Sequence, residues 1–289
     1  MRKLRFLIND VRESTDTEDT NAISDREITR YFNDCIRSIQ AIVLKNNPRS
    51  AYFQANVIYE APLQGRFFPL PEDCYAFNAV TFVEVLSEAS INDFWYMLEQ
   101  RSQEDQNNFF GWYTKNKEIY FTGRDDVRVG NSAKVWYFKR LPSWQKSIGT
   151  VSGIAGQVVS FSGTYKLNHA EYITVYSSLN EKIGTYQINP DLSVNGQITI
   201  IGSTAGIVNG SYILPEKDSV LEIDLPDEVE TYLLDYVSKR IYSRSNYRED
   251  TNNVSGFSEE AKANITAIFG DVSNAIIQAP ITNTDYLEV

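Results

Sequence analysis

Cysteine and histidine are almost missing from this 289-residue sequence: Cys35, Cys74 and His169 are the whole supply. Two cysteines build no disulfide framework. With no Cys-x-x-Cys pair and no second histidine, the common zinc donor sets are excluded as well. Positive charge is the next shortage, with 27 Lys and Arg against 38 Asp and Glu, a formal net charge of −11. Tight binding to phosphates needs clustered bases, so little affinity for duplex DNA is expected, although such a chain could line a channel through which DNA slides. Ordinary acidic solubility accounts for the same balance. Long apolar runs are absent too. After Met1-Arg2-Lys3 the apolar run Phe6-Leu7-Ile8 stops at Asn9, too short for a secretory signal. No stretch of about 18 apolar residues exists to span a bilayer. A cytosol-like compartment of synthesis and no membrane partner are expected.

Aromatic residues are plentiful, 18 Tyr and 15 Phe, and suit β-structure and protein–protein surfaces alike. Composition shifts sharply over residues 143–218, which hold 9 of the 15 glycines and no arginine. Strand-like runs recur there: 157–161, 172–176, 184–188, 197–201 and 211–214. Turn material separates them at Asn189-Pro190-Asp191, Asn195-Gly196 and Asn209-Gly210. Gly153-Ile154-Ala155-Gly156 reads as a turn between strands. About six strands predict an inserted all-β, sandwich-like or barrel domain.

The flanks read differently. Ser24 with Glu27 three residues on is a capping box, and Ile28, Phe32, Cys35, Ile39 and Ile42 then line one helical face up to Asn46-Asn47-Pro48. Residues 51–141 alternate as strands at 56–59, 66–71, 79–85, 94–98, 118–121 and 133–138, with the polar run 99–108 as a short helix and Asp125-Asp126 in a hairpin turn. Leu225-Pro226-Asp227-Glu228 opens a second helix along Val229, Leu233, Tyr236, Val237 and Ile241. Its acids come first and its bases (Lys239, Arg240, Arg244, Arg248) last, which complements the helix dipole. A third helix runs from Ser258 to Gln278, interrupted by Gly270 and ended by Pro280. The predicted class is α+β: a helical bundle and a β-rich part formed by 1–142 and 219–280, an inserted β-domain at 143–218, and a tail at 281–289.

Catalytic chemistry is hard to find. His169 sits in turn-like Leu167-Asn168-His169-Ala170 with no nucleophile at a recognisable spacing. No Gly-x-Ser-x-Gly, His-Glu-x-x-His or phosphate-binding Gly-Lys-Ser motif occurs. No catalytic, cofactor-binding or metal-binding residue is expected. Two other readings stay open. One is a carbohydrate-binding or adhesin module, prompted by Tyr165, Tyr172, Tyr176, Tyr186 and Tyr212 in the insertion. The other is a virion-associated cell-wall hydrolase using two of the many carboxylates.

Four short motifs, in order, resemble the head-to-tail adaptor (connector, tail-tubular-like) proteins of tailed bacteriophages. They are Ile8-Asn9-Asp10-Val11-Arg12, Ser24-Asp25-Arg26-Glu27-Ile28 leading to Tyr31-Phe32-Asn33, Leu70-Pro71-Glu72-Asp73, and Leu225-Pro226-Asp227-Glu228 leading to Tyr236-Val237-Ser238-Lys239-Arg240. The resemblance covers about 1–140 and 219–280. The inserted β-domain departs from the smallest members. It implies a non-enzymatic virion protein at the neck, made in the host cytoplasm. Its copies assemble into a ring, commonly twelvefold, between the portal and the tail or a second neck ring, and DNA passes through the channel without specific binding.

The C-terminal tail ends in Tyr286, Leu287 and Val289 after Ile281, apolar groups that a solvated terminus does not need. These four residues are the candidate partner-binding residues, as a strand that docks on the portal or a neighbouring copy. Burial would contribute about 1.5–3 kcal/mol for each large side chain, less the ordering cost. A chain ending at Gln278 should therefore melt like the full chain yet fail to join the portal. Infectious particles assembled from that shortened chain would show the tail to be dispensable.

Overall fold

The computed structural model describes residues 3–17, 23–46, 50–60, 67–75, 79–86, 95–101, 111–122, 132–163, 171–194, 196–245 and 257–270. The protein is α+β, and its chain divides into two compact units, Met1–Ala41 with Pro142–Ile268 and Ile42–Leu141 with Phe269–Val289.

Helices from the two halves of the sequence build one part of the first unit. α1 (Leu4–Ser14) buries Leu4, Leu7, Ile8 and Val11, a spacing of three and four that puts them on one face. α2 (Asp25–Asn46) buries Ile28, Phe32, Cys35, Ile36, Ile39 and Val43. α3 (Glu230–Ser245) follows a single 3-10 turn at Asp227–Val229 and buries Leu233, Tyr236, Val237 and Ile241. The Tyr242 hydroxyl donates to the carbonyl of Ser14 (2.7 Å), and the Ser14 and Ser238 hydroxyls meet at 3.3 Å, so α3 lies along α1. α4 (Glu259–Gly270) starts at Ser258, whose Oγ accepts the Ala261 amide.

The core of this helical part also takes in Trp144, a residue from outside the helices. Trp144 is fully buried and packs edge-on against Phe32, with ring centroids 6.1 Å apart. Each of its polar groups has a partner. Its amide donates to Asn33 Oδ1 (2.7 Å), its carbonyl accepts Asn33 Nδ2 (2.8 Å), and its indole N–H reaches the carbonyl of Leu221 (2.9 Å).

Beyond Trp144 six strands close into a barrel. They are β8 (Gly149–Ala155), β9 (Val158–Ser162), β10 (Tyr172–Tyr176), β11 (Lys182–Val194), β12 (Gln197–Ile200) and β13 (Tyr212–Pro215). Their order is β10-β11-β12-β9-β8-β13, every pairing is antiparallel, and β13 returns to β10. Closure satisfies both edges of every strand. The interior is β-branched and aromatic, with Val159, Ile173, Val175, Ile188, Ile198 and Phe161 among its residues. The chain enters and leaves beside itself. Trp144 and Val220 form a parallel bridge, in which the Val220 amide donates to Ser143 and the Gln145 amide to Val220. For the outgoing chain to run parallel to the incoming one it must reverse, and Glu216 (φ 75°) and Asp218 (φ 52°) adopt the left-handed region there.

The second unit holds two antiparallel sheets over one core. β1 (Gln54–Glu60), β7 (Ser132–Phe138), β3 (Val80–Leu86) and β4 (Trp95–Leu98) form one sheet in that order. β2 (Phe67–Pro69), β6 (Glu118–Thr122) and β5 (Gly111–Lys115) form the other. Val83, Val85, Val135 and Ala133 from the first meet Trp112, Ile119 and Phe121 from the second.

Several details differ from the sequence reading. Residues 4–14, whose apolar run is too short for a secretory signal, form an amphipathic helix. Ile42 is half-buried, and Val43 takes its place in the core. Gly153–Ala155 ends strand β8 rather than forming a turn, which begins at Gly156. β11 runs through Asn189-Pro190-Asp191 with a register shift between Asn189 and Val194, as a bulge accommodates a proline. Lys115 and Glu118 flank a tight turn that makes 111–115 a strand. His169, Asp125-Asp126, most of the polar run 99–108, the end of the third helix after Gly270, and Ile281, Tyr286, Leu287 and Val289 lie outside the described residues.

Residues 143–218, distinguished by composition, begin with a piece of the helical core. Replacing only residues 147–216 by a Gly-Ser linker of about four residues, ~3.5 Å each, should leave a soluble remainder with its helical circular-dichroism signal. Replacing 143–218 removes Trp144 and should cost a further 3–5 kcal/mol, about the range for emptying a large aromatic site. Equal melting of the two deletions would show that Trp144 does not fill the core in this way.

Candidate functional site

The polar chemistry of the first unit gathers around the start of α2. Ser24 caps the helix, its Oγ accepting the Glu27 amide at 3.3 Å and its carbonyl the Ile28 amide at 3.1 Å. Glu27 in turn accepts the Tyr31 hydroxyl (2.9 Å). Next to the cap, Asp25 receives Arg12 Nη2 on Oδ1 at 2.6 Å and Lys146 Nζ on Oδ2 at 2.9 Å. The Arg12 side chain is only 8% exposed and also donates to the carbonyls of Thr17 (2.7 Å) and Ile23 (2.9 Å). One guanidinium thus joins the end of α1, the approach to α2 and the first residue of α2. Burial alone would raise the Asp25 carboxyl. The hydrogen bonds and charges of Lys146 and Arg12 together outweigh it and hold Asp25 below its ordinary value of 3.8.

One turn further, α2 carries a second line of residues, Arg26, Arg30, Asn33 and Arg37, at spacings of four, three and four. These positions share one helical face, offset from the apolar one. That face borders an open cleft of about 380 Å³, closed on its other side by Ser143, Gln145 and Glu216. The floor is rigid, because Asn33 is held by Trp144 and by the carbonyl of Thr29 (2.9 Å). The rim is adaptable. Arg30 and Arg37 are each 65% exposed and pair only loosely within the helix, with Glu27 (3.8 Å) and Asp34 (3.4 Å). Exposed pairs of this kind are worth a few tenths of a kcal/mol, so both guanidiniums can turn to an incoming carboxylate. With three guanidiniums against the carboxylates of Glu27 and Glu216, the cleft keeps a positive excess that suits an anionic side chain or peptide segment.

Other surfaces offer less. In the second unit Phe67, Tyr120 and Tyr113 lie opposite one another across β2, β6 and β5. Their rings stack on each other at centroid distances of 5.4 and 4.9 Å, so the facing ring surfaces are covered rather than presented to a sugar. In the barrel the Tyr176 hydroxyl donates to Ser219 and that of Tyr186 to Ala205. Cys35 is fully buried, and burial with Asp235 and Asp34 nearby pushes its thiol well up, so it offers no thiolate. Among the described residues no three His, Cys, Asp or Glu side chains converge as metal ligands.

The residues singled out from sequence, Ile281, Tyr286, Leu287 and Val289, are not brought to this cleft by any described contact, since they lie outside the described residues. The cleft residues were missed. Their signal was present in the spacing of Arg26, Arg30, Asn33 and Arg37, but its meaning depends on Trp144, which is 111 residues away from Asn33.

The sign of the Asp25 effect follows from its lowered value. Its stabilising contribution is complete above the unfolded aspartate value and is lost as the pH falls through the folded one. Asp25→Asn at neutral pH should cost about 1–3 kcal/mol, less than for a fully buried pair because Asp25 is partly hydrated. The gap between wild type and variant in chemical denaturation should close as the pH is lowered below the ordinary aspartate range. A gap that persists unchanged in acid would show that the carboxylate charge is not its source.

No protein-family model matches this sequence, and no curated protein matches it.

Proposed function

We propose that this chain is a structural ring protein of a tailed bacteriophage, an adaptor that joins the capsid portal to the tail. In this reading it has no catalytic role. Its copies extend the DNA channel and offer a platform for the tail or a second neck ring.

One observation carries the reading: three of the four motifs on which the resemblance rests hold the helices of the first unit together, the fourth, at residues 70–73, lying in the second unit. Arg12 closes the first motif and Asp25 is the second residue of the next, and the two form the half-buried ion pair at the start of α2. Asn33 ends the second motif and clamps Trp144. Ser238 in the last motif meets Ser14 at the end of α1. Residues that match a family by order and also contact one another are better support than short motifs scattered over a surface. The low affinity for duplex DNA expected from the charge balance suits a channel wall, because each added phosphate contact would retard sliding.

The test is direct. The full chain is mixed with the portal ring of its own phage and viewed by negative-stain microscopy. A coaxial layer of density added to one end of the portal is the expected result. A portal that stays unchanged, with the protein located by antibody labelling on fibres or inside the capsid, would overturn the reading.

A further inference from the structure

The cleft on α2 is a basic feature on an acidic chain, and the same unit carries a segment of opposite character. Residues 222–230 read Glu-Ile-Asp-Leu-Pro-Asp-Glu-Val-Glu, five acids and no base in nine positions. Ile223, Leu225 and Val229 are buried, which anchors the segment. Glu222, Asp224, Asp227 and Glu228 face outward. The dipole of α3 accounts for acids at its first turn, Asp227, Glu228 and Glu230. It does not account for Asp224, which precedes that turn, while Glu222 pairs with Lys3 at the surface (3.3 Å).

We infer that the Arg26–Arg30–Arg37 cleft receives the 222–230 segment of a second copy of this chain, in a head-to-tail contact. The inference rests on the ring reading and names the surfaces that would join neighbours within it. Three features favour a second copy over an unrelated acidic partner. Both surfaces belong to one compact unit, so every copy presents both in the same fixed relation. Their charges are complementary, with three guanidiniums outweighing the carboxylates of Glu27 and Glu216 in the cleft, and exposed carboxylates at Asp224, Asp227 and Glu228 on the segment. They are also different patches, so pairing them leaves one of each free on every dimer, and addition continues until the rotation closes a ring. A patch that paired with itself would stop at two. Planar guanidiniums suit carboxylates held on an anchored segment, because the bidentate fork matches the carboxylate and the segment's backbone loses little freedom.

The test uses the full chain with Cys74→Ser throughout, Cys35 being buried. Arg30→Cys and Glu228→Cys are made separately and together, and incubated at high concentration under mild oxidation. Each single variant alone should remain monomeric, their equimolar mixture should give a disulfide-linked heterodimer and stop there, and the double variant should give a ladder. Cross-linking should fall several-fold between low and high salt. A homodimer of Arg30→Cys alone, or no heterodimer in the mixture, would overturn the inference. If the mixture fails while the unmodified chain still adds a layer to its portal, the contact is wrong and the ring reading stands. If the heterodimer and ladder form but no layer is added to the portal, self-association stands and the adaptor reading falls.

Discussion

The first unit depends on a side-chain amide that behaves like a short piece of strand. Asn33 presents one donor and one acceptor to the backbone of Trp144 and takes both of that residue's main-chain groups. A buried amide of this kind is costly if half-satisfied and specific if complete. Here it is complete, since the second amide hydrogen goes to Thr29. It places the indole against Phe32, sets the height at which the chain leaves the helices, and makes the floor of the arginine cleft. A hydrophobic residue at position 33 would leave two main-chain groups of Trp144 without partners in the interior. The Arg12–Asp25–Lys146 cluster acts beside it, fixing α1 and the chain just past Trp144 to the same end of α2.

Much of this architecture was legible from local rules, and the places where it was not have physical reasons. The cap at Ser24 and the stripe that follows it are set by the helix's own geometry, and the prediction met the structure to within a residue. α1 carries an equally clear stripe in Leu4, Leu7, Ile8 and Val11, but an eleven-residue helix lacks intrinsic stability, and only its packing along α3 makes it worth forming. β8 was hidden by Gly153 and Gly156, because glycine signals a turn locally while a closing barrel tolerates it in a strand. Gly149 is a position where an added Cβ would lie 2.4 Å from the Ser162 carbonyl oxygen, so that glycine reports a close backbone approach rather than a bend.

The cleft illustrates a different limit. Its basic side is periodic and therefore readable, but its other wall comes from Ser143, Gln145 and Glu216, which long-range bonds from Asn33 to Trp144 and from Lys146 to Asp25 bring into place. Spacing along a helix identifies a face. It does not say whether that face meets solvent, a core or a second chain segment. The acidic segment before α3 has the same ambiguity, and its buried Ile223, Leu225 and Val229 are what distinguish an anchored strip from a solvated loop.

The path of the chain at the neck of the barrel gives the protein an unequal response to mechanical load. The incoming limb passes from Trp144 into β8 within five residues, so a pull on the barrel acts directly on a residue held at its amide, its carbonyl and its indole N–H. The outgoing limb first turns back at Glu216 and Asp218 before it lies beside Trp144. The same pull straightens that reversal and peels its bonds one after another, starting with Ser143 to Glu216 and Thr174 to the Glu216 carbonyl. The two limbs share the load, so a pull on the barrel reaches the helices first through the incoming limb at Trp144, while the outgoing limb yields gradually behind it.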